Sequence, residues 1–137
     1  MTRIAIRPAT TDDLTILTQL WREHIALISQ TNPRYIPSLT IQEWQQQMTD
    51  WLIHDQCQIL IACGEDDAVG YIIGWLQDTV PGLPFRSCGL ITELVLDAHV
   101  YHGGAARSLV ESLKEWFASH KVQHIFTYVP AYNATQQ

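Results

Sequence analysis

The N-terminal part of the chain shows one short alternating segment followed by two helical patterns. Residues 4–7 alternate apolar and polar side chains, which predicts a strand that Pro8 closes. Residues 10–13, Thr-Thr-Asp-Asp, supply the hydroxyl and acidic groups typical of a helix start. The predicted apolar stripe of this first helix contains Leu14, Leu17, Leu20, Trp21 and Ile28. After Asn32-Pro33, a capping box at residues 40–43 begins a second helix, whose predicted buried face contains Ile41, Trp44, Met48, Trp51 and Leu52.

The rest of the chain is dominated by strand patterns with one further helix. Two apolar runs, at residues 56–63 and 69–77, flank a Gly/Asp-containing tip and predict a hairpin. A third strand is expected at residues 89–97 and a last one at 124–129. Between them, the helical stripe after Gly103-Gly104 contains Leu109, Val110, Leu113, Trp116 and Phe117. The order β-α-α-β-β-β-α-β predicts a mixed α/β sheet with antiparallel central strands and one right-handed parallel β-α-β crossover.

Composition narrows the class of protein. The 137 residues suffice for one domain, which we expect to span residues 1–137, and 47% hydrophobic content can fill its core. A net charge of -6 argues against broad nucleic-acid binding, and the longest apolar run, residues 68–76, is too short to cross a membrane. No secretory signal is recognised, and three cysteines without C-x-x-C spacing argue against a disulfide scaffold. We therefore expect a cytoplasmic protein.

The segment with candidate chemistry runs from the third long strand into the third helix. A strand, a turn of small residues and a helix start follow one another over residues 91–109. Unpaired N–H groups and the helix dipole make such a start suitable for phosphate, and Arg107 adds a positive charge. The segment has neither the P-loop pattern nor the dinucleotide-binding glycine pattern. From these residues alone, the favoured interpretation is a tight turn whose glycines serve only geometry, with a phosphate cradle as the alternative.

The whole chain resembles the GNAT superfamily of acetyl-CoA-dependent N-acetyltransferases. The resemblance rests on Ile-Arg-Pro-Ala-Thr at residues 6–10, two helices, Val-Gly-Tyr at 69–71 and the segment above. The family's pyrophosphate motif falls on residues 101–106, where Gly104 and Ala106 match it. The resemblance implies acetyl-CoA as co-substrate and no metal. It also implies that the main chain of Leu94, Val95 and Leu96 pairs with the pantetheine arm. The remaining implied cofactor-binding residues are His102, Gly103, Gly104, Ala105, Ala106, Arg107 and Asn133.

Some positions depart from the family pattern. Tyr101 replaces the expected Arg or Gln, and Ala98 stands where a proline is usual. The family's last helix, with its general-acid tyrosine, and its last strands have no counterpart before Gln137. The protein is therefore either shortened or represented by an incomplete sequence. These departures leave open an alternative, a catalytically degenerate GNAT-like module for acyl-CoA binding or dimerisation.

The candidate base is Glu93, a carboxylate inside an otherwise apolar strand. Partial desolvation would raise its pKa toward a range useful for taking a proton from an amine. An exposed or salt-bridged glutamate on the sheet is the alternative. His99 and His102 lack a third metal ligand, and Cys63 and Cys88 lack a relay. By similarity, the first two helices flank the acceptor, with Tyr35 as the favoured substrate-binding residue.

The expected partners are a small-molecule or peptide amine and a second copy of the chain. Residues 51–100 carry seven acidic side chains and one basic one, which suits a cationic acceptor without identifying it. An exposed last strand at 124–129 would pair with another chain, so we expect a homodimer. Neither nucleic acid nor membrane is expected as a partner.

Overall fold

The computed structural model describes residues 3–34, 39–65, 67–77, 87–97 and 104–127. Five strands and three α-helices follow in the predicted order. A single 3-10 turn, Thr11–Asp13, precedes the first α-helix. The elements are β1 Ala5–Pro8, α1 Leu14–Thr31, α2 Ile41–Leu52, β2 Cys57–Cys63, β3 Ala68–Gln77, β4 Cys88–Leu96, α3 Ala105–Ser119 and β5 Ile125–Thr127.

The strands form one sheet in the order β1-β2-β3-β4-β5. The β1–β2, β2–β3 and β3–β4 pairs are antiparallel, whereas β4 and β5 are parallel and are joined through α3. This arrangement confirms the predicted mixed α/β fold. The helix that links the two parallel strands also brings its N-terminus to the end of the sheet where β4 finishes.

The boundaries of β2, β3 and β4 differ from the prediction by one residue, and two boundaries nearer the N-terminus were also wrong in detail. Pro8 does not close the first strand but is its last residue, opposite Leu60. This is tolerated because β1 is an edge strand of the sheet, where a missing N–H removes no bond to a further neighbour. The first helix does not begin at the cap residues directly, since the 3-10 turn comes before α1. Of the last strand, expected at residues 124–129, the described part is Ile125–Thr127.

The 3-10 turn is attached to β1 by an ion pair. Arg7 donates from both terminal nitrogens to the Asp13 carboxylate, each at 2.8 Å, and the Thr10 N–H donates to Asp13 Oδ2 at 2.8 Å. The guanidinium of Arg7 is the main cause that lowers the pKa of Asp13 to about 2. At α2, the capping box is confirmed by reciprocal hydrogen bonds between Thr40 and Glu43 of 2.9 and 3.1 Å.

Each face of the sheet has its own core. On one face, α1 and α2 cover Ile59, Ile61, Tyr71, Ile73 and Val95, and Trp21 stacks on Trp44 with 4.8 Å between ring centroids. On the other face, α3 covers a second set of buried residues. This second core contains Leu60, Ala62, Ile72, Ile91, Leu109, Leu113 and Phe117. Both faces of the sheet are therefore covered by helices, although burial varies along β4, where Val95 is completely buried and Leu94 is exposed.

Candidate active site

An extra residue in β4 decides which way the candidate base points. Ile73 on β3 pairs with Glu93, but the next residue, Gly74, pairs with Ile91, so Thr92 has no partner and forms a β-bulge. Before the bulge, Ile91 packs in the core beneath α3. After it, Val95 packs in the core beneath α1 and α2. Because side chains alternate along a strand, Glu93 lies on the α1/α2 face with Val95. Without the extra residue, the carboxylate would face α3.

The environment of Glu93 is apolar and largely closed to solvent. Its side chain is half-buried, and Ile73 and Val95 beside it are completely buried. Burial raises the pKa of Glu93 to about 7, and the Tyr71 hydroxyl opposes this by lowering it. A carboxylic acid with this pKa exchanges its proton near neutrality, which suits general acid–base chemistry.

Over the described residues, β5 pairs with the part of β4 that precedes the bulge. The described parallel ladder contains three pairs, Gly89 with Ile125, Leu90 with Phe126 and Ile91 with Thr127. Beyond Ile91, the described residues provide no β5 partner for β4. A strand edge with unpaired backbone groups can accept an extended ligand by strand-like hydrogen bonding.

The register identifies which backbone groups turn toward that edge. The Asp97 N–H donates to Val69 O at 2.8 Å, so Asp97 faces β3. Because backbone groups alternate in direction along an antiparallel strand, Val95 also faces β3, opposite Tyr71. The N–H and C=O groups of Leu94 and Leu96 therefore point to the β5 side. The family resemblance implies that the main chain of three residues pairs with the pantetheine arm. The register assigns the backbone groups of Val95 to the β3 ladder, so those of Leu94 and Leu96 remain for a ligand.

The start of α3 has the features expected of an anion cradle. Gly104, the N-cap, adopts φ +84° and leaves open space where a side chain would be. Gly104 provides no side-chain cap, and the first helical hydrogen bond runs from the Ser108 N–H to Gly104 O at 2.9 Å. The N–H groups of Ala105, Ala106 and Arg107 therefore precede the helical hydrogen-bond pattern. Ala105 is buried, whereas Gly104 and Arg107 are exposed.

The comparisons with known proteins agree with this geometry. The model of the Acetyltransferase (GNAT) family matches residues 21–137. The chain belongs to the GNAT family. Among proteins with curated descriptions, no sequence relative was found.

Solved structures share the GNAT fold at low sequence identity. A tetramutant of the BH1408 protein from Bacillus halodurans is 20% identical, with a TM-score of 0.79 and coverage of 96% of this chain and 86% of that chain. The aminoglycoside N-acetyltransferase AAC(6')-Iy, in complex with CoA, is 14% identical, with a TM-score of 0.79 and coverage of 100% and 84%. The aminoglycoside 6'-N-acetyltransferase AAC(6')-IG from Acinetobacter haemolyticus is 15% identical, with a TM-score of 0.78 and coverage of 96% and 83%. At these identities, the likeness shows the fold.

Of the eleven implied cofactor- and substrate-binding residues, the structure describes seven, which lie on β4 and at the start of α3: Leu94, Val95, Leu96, Gly104, Ala105, Ala106 and Arg107. Other residues singled out in the sequence lie outside the described residues: Tyr35, Ala98, His99, Tyr101, His102, Gly103 and Asn133. For these, the sequence interpretation stays a prediction.

Among the described residues, the remaining titratable groups include free thiols and one half-buried imidazole. The three cysteines are free thiols, and burial raises the pKa of Cys57 to about 12 and also raises that of Cys88. His24 is half-buried on α1 and has a lowered pKa because of burial. Over the described ranges, no group of His, Cys, Asp and Glu side chains could hold a metal ion. In the same part of the chain, no helix is both long and apolar enough to span a membrane.

Sequence reasoning missed two features of this GNAT site. Thr92 gave no local signal of a bulge, because a bulge is a property of the register between two strands. Tyr71 was noted only as part of the Val-Gly-Tyr segment, although it lies beside the candidate base on the same face of the sheet. Its signal in the sequence was a hydroxyl-bearing side chain in the middle of a largely apolar strand.

Proposed function

We propose that this protein is an acetyl-CoA-dependent N-acetyltransferase that acetylates a primary amine by direct attack in a ternary complex. The proposal rests above all on Glu93, a carboxyl group with a pKa of about 7 on β4, just beyond the described pairs between β4 and β5. Family membership supports the reaction class, and the position and pKa of Glu93 support its assignment as the base.

Two features of the chain fit acetyl-CoA. The backbone groups of Leu94 and Leu96 can pair with the amide-containing pantetheine arm as an added strand would. The N–H groups at the start of α3 can donate hydrogen bonds to the pyrophosphate, and the exposed guanidinium of Arg107 adds a charge-assisted contact. By family resemblance, His102, Gly103 and Asn133 complete the binding site. A CoA complex of the similar AAC(6')-Iy supports this fit.

Glu93 would prepare the acceptor for attack. A primary amine has a pKa near 10 and is mostly an ammonium ion at neutral pH, so it must lose a proton before its lone pair can react. The Glu93 carboxylate takes this proton, directly or through one water molecule. Acetyl-CoA supplies an activated acetyl thioester. The amine nitrogen attacks its carbonyl carbon, so that the C–N bond forms and the C–S bond breaks. The nitrogen then loses a second proton, which neutralises the departing CoA thiolate to the thiol.

The acceptor is proposed at the level of a chemical class. The similar proteins include aminoglycoside N-acetyltransferases and a ribosomal-protein-alanine N-acetyltransferase from Brucella melitensis. Both kinds of name denote amine acetylation. The acidic balance of residues 51–100 favours a cationic acceptor here as well. We therefore propose a small-molecule or peptide amine as the substrate, with Tyr35 as a contact.

Calorimetry with acetyl-CoA and a thiol-release assay over a panel of amines test the proposal. We expect wild-type protein to bind acetyl-CoA and to release thiol with at least one amine. Glu93→Gln should retain binding and lose about 100-fold or more in turnover at neutral pH. Glu115→Gln, at an exposed position on α3, is the matched control and should behave as wild type.

The same experiment separates the proposal from its alternative. Tight binding of acetyl-CoA without thiol release from any amine would favour the acyl-CoA-binding module. Absence of binding would overturn both functions. Full activity of Glu93→Gln would show that the base is another group.

A further inference from the structure

A buried hydroxyl group without a partner lies beside the proposed base. The side chain of Tyr71 on β3 is completely buried, and its Oη makes no hydrogen bond with any described residue. Buried polar atoms in proteins are nearly always paired, so an unpaired one calls for a physical explanation. Because the ring is shut off from solvent, the hydroxyl cannot meet a ligand directly.

The sheet register places this hydroxyl next to Glu93. Tyr71 pairs with Val95 and Ile73 pairs with Glu93, so Tyr71 and Glu93 are diagonal neighbours on the α1/α2 face. Diagonal neighbours in an antiparallel sheet are within reach of an aromatic side chain. The bulge at Thr92 is required for this contact, because it turns Glu93 toward the face that Tyr71 occupies.

No other ionisable group within the described part of this face competes with Tyr71. The buried or half-buried groups of the packed elements include Asp13 in the 3-10 turn, His24 on α1, and Cys57 and Cys63 on β2. Asp13 is bound to Arg7, and α2 presents Trp44 and Met48 to the core rather than a charge. None of them acts on Glu93, whose pKa responds to its burial and to the Tyr71 hydroxyl.

We infer that Tyr71 is a positioning residue for Glu93: its buried hydroxyl donates a hydrogen bond to the Glu93 carboxylate once that group has lost its proton, and so orients the base. The inference rests on the proposed function of Glu93. Tyr71 itself does not touch the substrate. It acts only through the carboxylate, which is the more exposed member of the pair.

The physical basis is the difference between the two protonation states. While Glu93 is neutral, it has no charge for the hydroxyl to stabilise. The Tyr71 hydroxyl has no hydrogen-bond partner among the described residues, so it is available as a donor. When the proton leaves, a carboxylate in an apolar setting requires a donor, and a hydrogen bond to a charged acceptor is stronger than one between neutral groups. Because the Tyr71 hydroxyl can donate to the ionised carboxylate, it limits how far burial raises the pKa of Glu93. The group therefore stays ionisable near neutrality.

The test is a direct titration of Glu93 in wild type and in Tyr71→Phe, which retains the ring and removes only the hydroxyl. Side-chain carboxyl ¹³C shifts, assigned with Glu93→Gln, report the pKa without requiring turnover. We expect Tyr71→Phe to raise the pKa of Glu93 by about one unit or more. The acid limb of the kcat/KM profile for the amine should move up in pH by the same amount, with unchanged binding of acetyl-CoA.

Ile73→Val is the matched control, because it loosens the core directly opposite Glu93 without removing a donor. It should leave the pKa of Glu93 within a few tenths of the wild-type value. An unchanged or lowered pKa in Tyr71→Phe, or an equal rise in Ile73→Val, would overturn the inference. A raised pKa in Tyr71→Phe together with no turnover by wild type would support the hydrogen bond and overturn the catalytic function. Turnover that depends on Glu93 but not on Tyr71 at any pH would support the catalytic function of Glu93 and overturn the positioning role of Tyr71.

Discussion

Replacing Glu93 by Gln should change how the stability of the fold depends on pH. Its pKa is about 7 in the folded protein and 4.5 in an unconstrained chain. Between these values, the folded state retains a proton that the unfolded state has lost. The free energy of unfolding of wild type therefore falls as pH rises through this window, because ionisation in the folded state is opposed by burial. Gln cannot ionise, so the free energy of unfolding of the variant should not show this fall with rising pH.

The window from 4.5 to about 7 sets the size of the effect. A difference of one bound proton changes the free energy of unfolding by about 1.4 kcal/mol for each pH unit. The full window corresponds to about 3 kcal/mol, and partial exposure of Glu93 to solvent reduces this to roughly 2 kcal/mol. We compare the free energy of unfolding of Glu93→Gln with that of wild type at each pH. The difference, variant minus wild type, should be larger at pH 8 than at pH 4.5 by about this amount.

Urea denaturation of both proteins at pH 4.5, 6 and 8 measures this difference. His24, whose lowered pKa makes stability rise through the same range, is present in both proteins and cancels from the comparison. A stability difference between the two proteins that stays constant from pH 4.5 to 8 would refute the reasoning. It would mean that Glu93 in the folded protein has the ordinary pKa of a glutamate.

Three further predictions concern other parts of the fold. Asp13→Asn should cost about 1–2 kcal/mol at pH 7, since it removes the bidentate partner of Arg7. In urea denaturation this difference should shrink as pH falls from 3.8 toward 2, and an undiminished difference would contradict the ion pair. Gly104→Ala should lower the free energy of unfolding by about 1 kcal/mol, because Gly104 has a φ of +84°. It should also weaken acetyl-CoA binding in calorimetry. Unchanged stability would contradict the assigned backbone conformation. Light scattering at micromolar concentration should show twice the 15.6 kDa chain mass, because β5 is the edge strand of the described sheet, and a monomer would contradict the homodimer.

The fold was largely predictable because its signals are local. The capping box at Thr40 and Glu43 and the alternation of apolar residues in β2 and β3 each require only neighbouring residues to be recognised. The strand boundary at Pro8 was not predictable in the same way. Whether a proline ends a strand depends on its position in the sheet, and the sequence does not show which strand lies at the edge.

The candidate site was predictable only in part. Glu93 was recognisable as a carboxylate among apolar residues, and family resemblance indicated the neighbouring cradle. The direction in which Glu93 points depends on the bulge at Thr92, and its contact with Tyr71 depends on a register between two strands. The assignment of Leu94 and Leu96, but not Val95, to the outer edge follows from the same register. These are relations between distant residues, which patterns along one chain do not encode.

Amide hydrogen exchange at residues 94–96, measured by NMR with and without acetyl-CoA, tests the central claim most directly. The account predicts that the N–H groups of Leu94 and Leu96 exchange more slowly when acetyl-CoA is bound, while Val95, already within the β3 ladder, changes little. Protection that is equal at all three residues, or absent from Leu94 and Leu96 in the presence of saturating acetyl-CoA, would contradict it.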